Sequence, residues 1–425
     1  MHSIATNSLL RSPISNVVSQ HLEDAAGLRV MRSVLVRAPH VGLPQLRRVD
    51  DRLCAHLDGL VIAGAEAMRM SRAGLDGVGG GYVFVLALLA LGQRDDAELA
   101  RVLALAGAVP EAARELVSAF GWAPGAWLSE VIAPMLDSDK LAQRWLGIAA
   151  CAQHRVDPGK ALDAAIEGDH PGLRAYALRV AGELGRTDLL PSCIGHLADE
   201  DGACAEAAAV AGLRLGDRGA CAETLETHVM RLAPPALALA LQGARQKTVR
   251  RLLKRLVEAD APQRTLIRAA GWAGDPEALP WLLAQMAQDG QARLAGDAFR
   301  RITGADLAAL GLDRSAPGDA DSGPGEHPED SSVALDEDEG LRWPDPAKAA
   351  AWWDVNKHRF QPGVRYFLGE PPTVPHCRRI VCEGFQHERI AAADYLCLLQ
   401  PGARLFAISA PAWRQQRWLG QWSRA

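Results

Sequence analysis

Glycine recurs at a constant place in an otherwise helical text. Residues 178–191 read LRVAGELGRTDLLP, and 89 residues later 267–280 read IRAAGWAGDPEALP. Gly182, Gly212, Gly243 and Gly271 follow one another at intervals of 30, 31 and 28 residues. A glycine inside a helix costs about 1 kcal/mol against alanine, so a cost repeated at a period implies a repeated gain. The period predicts antiparallel helix pairs of about 30 residues, each too small to bury its apolar face alone and buried instead by stacking. The glycines are expected where helices of neighbouring pairs approach closely. Asp169 and Asp199, which open two of the units, are expected as helix N-caps.

The array cannot be the whole chain. At 425 residues the sequence suits two or three domains or an extended repeat. The period fades before residue 126, where 1–125 still reads as helices, and the apolar run YVFVLALLAL at 82–91 is too short for a membrane span and reads as a buried helix. The turn GVGGG at 77–81 is expected to be flexible and fits neither phosphate-binding glycine pattern. Residues 126–312 carry the repeat. Residues 313–340 are rich in Pro, Gly, Ser and acid and read as a disordered linker, and 341–425 form a helical module opened by Asp345 and Pro346.

Composition narrows the function. The net charge is -5, with 48% hydrophobic and 23% charged residues, which speaks against a general nucleic-acid binder. Eight cysteines without a CxxC pair read as small apolar residues in a reducing compartment. The N-terminus lacks a basic end followed by a long apolar run, so the cytoplasm is expected and no membrane association.

The stretches QHLEDAAGLRVMRSVLVRAPH, LDGLVIAG, FRRITGADL, WPDPAKAAAWWDVNKHRFQPGVRYFLG and PGARLFAISAPAWRQQRWL resemble the signatures of an uncharacterised family of proteobacterial proteins with HEAT-like repeats. The likeness runs from about residue 16 to 422, apart from the acidic linker. Members of that family are often met near type VI secretion genes, among effectors and their accessory proteins. The resemblance implies a protein-binding role and carries over no catalytic residue.

Sites of chemistry are sparse. His387-Glu388 is the one His-Glu dipeptide, whereas a di-iron site on helical repeats needs several such pairs. His376, Cys377, Cys382 and His387 match no common zinc spacing. His56 and Asp58, two apart on a helix, point to different faces. No cofactor and no metal are expected. Two constellations suit partner binding. Arg245, Lys247, Arg250, Arg251, Lys254 and Arg255 lie on one expected helix, and the last five make a basic stripe, which reads as a solvated outer face, as an electrostatic seat for an acidic partner or, in cis, for the acids of the linker, or as a seat for nucleic acid or phosphate. Trp413, Arg414, Arg417, Trp418 and Trp422 bring hot-spot residue types to the last helix, while Trp343 and Trp352 suit the core of a small module.

These features predict an all-α fold, an α-solenoid of HEAT-like helix pairs with a helical N-terminal cap and a C-terminal helical module. The expected function is a non-catalytic protein-interaction scaffold or adaptor, as an accessory, chaperone or immunity-like partner of a type VI secretion effector. The alternative is a helical-repeat nucleic-acid-binding protein or enzyme that uses the basic helix 245–255.

Overall fold

The Ala- and Leu-rich text folds as its periodicity requires. The computed structural model describes residues 13–76, 81–317 and 336–422; the turn at 77–80 and the linker's middle, 318–335, lie outside the described residues. The fold is all-α, with 22 α-helices and, among the described residues, three isolated bridges in place of strands.

In chain order the helices are α1 (Ser15–Leu35), α2 (Leu43–Ala63), α3 (Ala65–Ala73), α4 (Gly81–Gln93), α5 (Asp96–Ala108), α6 (Pro110–Trp122), α7 (Gly125–Leu136) and α8 (Leu141–His154). There follow α9 (Lys160–Glu167), α10 (Pro171–Leu184), α11 (Leu190–Gly195), α12 (Gly202–Arg214), α13 (Ala220–Thr227), α14 (Pro234–Gly243), α15 (Gln246–Glu258), α16 (Gln263–Ala273), α17 (Leu279–Gln285) and α18 (Asp289–Thr303). The last four are α19 (Pro346–Asn356), α20 (Val374–Glu383), α21 (Gln386–Leu399) and α22 (Ala412–Trp422). Asp345 caps α19 by accepting from the amides of Ala347 and Lys348, as its place before Pro346 predicts. The caps expected at Asp169 and Asp199 lie one and two residues further on. His170 accepts from the Leu173 amide and Asp201 from Ala203 and Cys204, while Asp199 accepts from the Asp201 amide and pairs with Arg174.

The chain divides into two compact units. The first joins residues up to 37, 43–161 and the tail from 409. Its centre is α4, where every residue from Val83 to Leu91 is buried. A helix apolar on all sides must be enclosed, and α1, α3, α5 and α6 enclose it. Each large side chain buried there contributes roughly 1.5–3 kcal/mol.

The second unit, 38–42 and 162–408, contains the periodic text. The first helices of successive pairs pack in sequence, α10 on α12, α12 on α14, α14 on α16 and α16 on α18, with α11, α13, α15 and α17 as the second helices. The glycines gain two different things. A Cβ on Gly182 would lie 2.7 Å from the Ala211 Cα, and one on Gly271 would lie 3.1 Å from the Ala298 Cα, so both mark close approach of neighbouring backbones. Gly212 instead makes room for the Cys221 thiol, and Gly243 for the Leu213 side chain.

The second glycine of each motif has a separate task. Gly185 and Gly274 end α10 and α16 in the left-handed region, with φ of 70° and 68°. The chain after residue 341 runs against these ends. The Tyr366 amide donates to the Gly274 carbonyl at 2.8 Å, Leu368 to Arg301 at 2.7 Å, Gly369 to Ile302 at 3.0 Å and Leu405 to Glu183 at 2.8 Å. Arg365 donates to the carbonyls of Leu241, Gln242, Ala244 and Ala273, which caps α14 and α16 together. Helix C-termini leave four carbonyls each without intrahelical partners, and residues 365–405 satisfy many of them.

The module expected at 341–425 is shared between the two units. Residues 341–408 pack into the unit that holds the repeats, and residues from 409 belong to the first unit. Trp352 meets Phe299 of α18 edge to face at 5.7 Å, inside a core shared with Ile267, Leu279 and Leu294. The boundary expected at 125/126 falls in the packing near 161.

Two substitutions test this architecture. Gly182→Ala should destabilise by about 1–3 kcal/mol through overpacking, whereas Gly290→Ala, with open space at its Cβ, should be neutral or stabilising. Arg365→Met should cost about 2–4 kcal/mol, because it strands carbonyls on two helices; the exposed Arg359→Met should cost under about 0.5 kcal/mol. Urea unfolding of the full chain reads all four.

Candidate partner-binding groove

The basic stripe of α15 is largely engaged by the chain itself. Arg250 pairs with Asp275 at 2.9 Å and Glu277 at 2.7 Å. Arg251 pairs with Glu226. Arg255 donates to the carbonyls of Glu226 and Thr227, the last residues of α13. Lys254 pairs with Glu258 within the helix. Arg245 and Lys247 are exposed, with no side-chain partner among the described residues. The stripe thus ties α15 to α13 on one side and to the segment before α17 on the other.

The acids of the linker do not occupy this stripe where they are described. Asp336 pairs with Arg293, Glu337 with Arg268 and Asp338 with Arg264. At the other end, Asp313 bridges to Pro344, and the Arg314 amide donates to the Trp343 carbonyl at 2.9 Å. The indole of Trp343 lies between the guanidinium groups of Arg293 and Arg314. Both ends of the expected disordered linker are therefore anchored. The physical reason is local: arginines of α16 and α18 supply opposite charge closer than α15 does.

The residues of α22 separate by face. Arg414, expected at a partner surface, is turned into the fold. It is 2% exposed and donates to the carbonyls of Gly121 and Ala123, which caps α6. Burial first, then Arg417 and Arg32, bring its guanidinium down to about 10. Trp418 and Trp422 are half-buried. Trp413 and Arg417 are exposed, and the Trp413 ring lies within 4.9 Å and 5.8 Å of the guanidinium carbons of Arg414 and Arg417.

Trp413 forms one wall of an apolar groove of about 230 Å³ in the first unit. Cys54, Leu57 and Val61 of α2 make the floor, Leu88 of α4 lies below, and Trp127 of α7 closes the far side. Asp58 is the one charged lining residue. Around it Val61 is 51% exposed, Ile62 86%, Trp127 41% and Trp413 38%. The buried face of α2 runs through Leu46, Leu53, Leu57 and Leu60. Val61 falls beside that face and Ile62 nearly opposite it, and this departure from helical period is the signal the sequence offered for them.

Other polar clusters are satisfied by the fold. His387 Nε2 meets the Asp297 carboxylate at 2.9 Å beside a cavity of about 270 Å³, and its buried Nδ1 has no partner. Burial pushes the Asp297 carboxyl up, but His387 and then Arg301 and Arg300 outweigh it and hold it well below the carboxylate range. Glu388 is buried against Arg300 and accepts from the Phe385 amide. His376 Nε2 meets the Phe367 carbonyl at 2.7 Å, Cys377 is buried and Cys382 exposed. His56 faces His21 and Asp24 rather than Asp58. Among the described residues no group of His, Cys, Asp and Glu is arranged to hold a metal ion, and no helix is long and apolar enough to cross a membrane.

The anchored acids carry a pH dependence. Arg293 holds the Asp336 carboxyl below its ordinary range, and Arg268 with Arg264 does so for Glu337. Groups whose folded-state values are depressed contribute stability above the ordinary carboxylate range, about pH 4, and lose it as pH falls through the depressed values. Protection of the amides of residues 336–341 against hydrogen exchange, relative to the unfolded chain at the same pH, should hold from pH 7 to about 5 and fall below about pH 4. Arg293→Met should remove that dependence at Asp336.

Comparison with family models, with curated proteins and with solved structures finds no match for this chain.

Proposed function

We propose that the second unit is a HEAT-like array and that the protein is a non-catalytic scaffold that binds a protein partner through the groove of Trp413, Trp127 and Val61. The groove carries this reading. Its walls are two half-exposed tryptophans, its floor is aliphatic, and Arg417 stands at its rim. Tryptophan and arginine around a dry centre are the composition of interface hot spots. Val61, Trp127 and Trp413 line the groove and stay exposed, and an apolar surface of this kind has a reason to be covered.

The resemblance to proteobacterial proteins met near type VI secretion genes directs the choice of partner. We take it to be a secreted effector, with this chain as its accessory, chaperone or immunity-like partner in the cytoplasm. The alternative of a nucleic-acid binder or enzyme built on the basic helix loses support, since the chain engages Arg250, Arg251, Lys254 and Arg255 internally.

Affinity capture from the native organism with the tagged full chain, followed by mass spectrometry, tests the proposal. Trp413→Ala and Val61→Asp should each weaken the captured partner's binding by roughly tenfold or more while the thermal midpoint stays close to wild type. Lys247→Glu should leave capture unchanged. Equal capture by the Trp413 and Val61 variants would remove the groove from the interface.

A further inference from the structure

The first unit holds another cavity, of about 190 Å³ and of opposite character. Helix α1 brings Arg29 and Arg32 to it, the turn after α1 brings Arg37, α6 brings Ser118 and α8 brings Gln153. Positions 29 and 32 share a helix face, since they are three apart. At about 30 Å³ per water, the cavity has room for several waters or for a small polyatomic ion with a substituent.

Its donors are only partly used. Arg29 is 9% exposed, with its guanidinium carbon 5.4 Å from the Phe84 ring centre. Its Nη2 donates to Ser118 Oγ at 2.5 Å and to Glu115, and its Nε faces Glu115 at 3.0 Å. No hydrogen bond engages its Nη1 among the described residues. Arg32 is committed to Asp50 and to the carbonyls of Ser409 and Ala410. The guanidinium of Arg37 and the amide of Gln153 have no partner among the described residues and line the cavity. Arg414, buried nearby, bonds only carbonyls. Three buried guanidinium groups, of Arg29, Arg32 and Arg414, therefore stand against two carboxylates, Glu115 and Asp50, and the exposed Arg37 that lines the cavity adds a further positive charge. Burial of unbalanced charge is costly, and a cleft lined by one sign of charge concentrates counter-ions.

We propose that this cavity binds the phosphoryl group of a small phosphorylated molecule, held by Arg29 Nη1, the Arg37 guanidinium and the Gln153 amide nitrogen. A phosphoryl group carries nearly two negative charges at neutral pH and three acceptor oxygens, which matches both the excess of positive charge and three donors arriving from α1, the turn after it and α8. A planar carboxylate has one charge and suits a single bidentate arginine. The site is separate from the Trp413 groove in its chemistry and in the residues that hold the ligand, so either can fail without the other.

Thermal unfolding of the full chain tests the assignment with inorganic phosphate as probe, against chloride and acetate at matched ionic strength. Phosphate, and sulfate of the same shape, should raise the midpoint in a saturable way, while acetate should do no more than chloride. Arg37→Ala removes an exposed side chain and should weaken the apparent phosphate affinity by roughly tenfold, a single charge-assisted contact. Gln153→Ala should weaken it further, and Lys247→Ala should leave it intact. A phosphate effect equal to that of chloride or acetate, a wild-type response in the Arg37→Ala, Gln153→Ala double variant, or a loss in Lys247→Ala would overturn the proposal.

Discussion

Arginine on the carbonyl end of a helix is the interaction on which this structure depends. Arg414 closes α6, Arg255 closes α13, Arg365 closes α14 and α16, and Arg389 donates to Val381 near the end of α20. Arg218 joins the end of α12 to that of α21 through Leu213 and Leu398. Short helices make this necessary. A helix of ten residues, such as α14, leaves a large share of its carbonyls at an unsatisfied end, and glycine caps answer only some of them. A guanidinium offers five donors in one plane and a positive charge for the negative end of the helix dipole.

Small residues and charged residues divide the work of stacking. Gly182 and Gly271 let the first helices of successive pairs meet at backbone distance, against Ala211 and Ala298. The second helices are farther from one another and are joined instead by ion pairs of Arg250 and Arg251 with acids on the neighbouring pairs. Exposed ion pairs contribute little singly. Their value here is register, since each cation meets a carboxylate about one repeat away.

The helices and their period were legible because both are local. Apolar spacing along α2 or α16 needs no knowledge of what lies opposite, and the glycine interval survives any error in helix ends. The capping by Arg365 was not legible, because its acceptors lie more than 90 residues earlier in the chain. The same limit misled the reading of α15. Helical spacing shows that five cations share a face, but not that Glu226 and Asp275 are waiting for two of them. For the candidate groove, Trp413 was visible by residue type and its partner Trp127 was not. Arg414, next to Trp413 in sequence, points inward instead, since adjacent residues on a helix diverge by about 100°.

The hydrogen bonds from Arg32 to the carbonyls of Ser409 and Ala410 span 377 and 378 residues. The first unit thus waits for residues 409 and 410 to leave the ribosome before Arg32 finds these acceptors. Contacts of such long range slow folding and keep apolar surface open during synthesis. A premature stop late in the message would therefore damage the beginning of the molecule as well as its end, and would leave a nascent chain that chaperones must shelter.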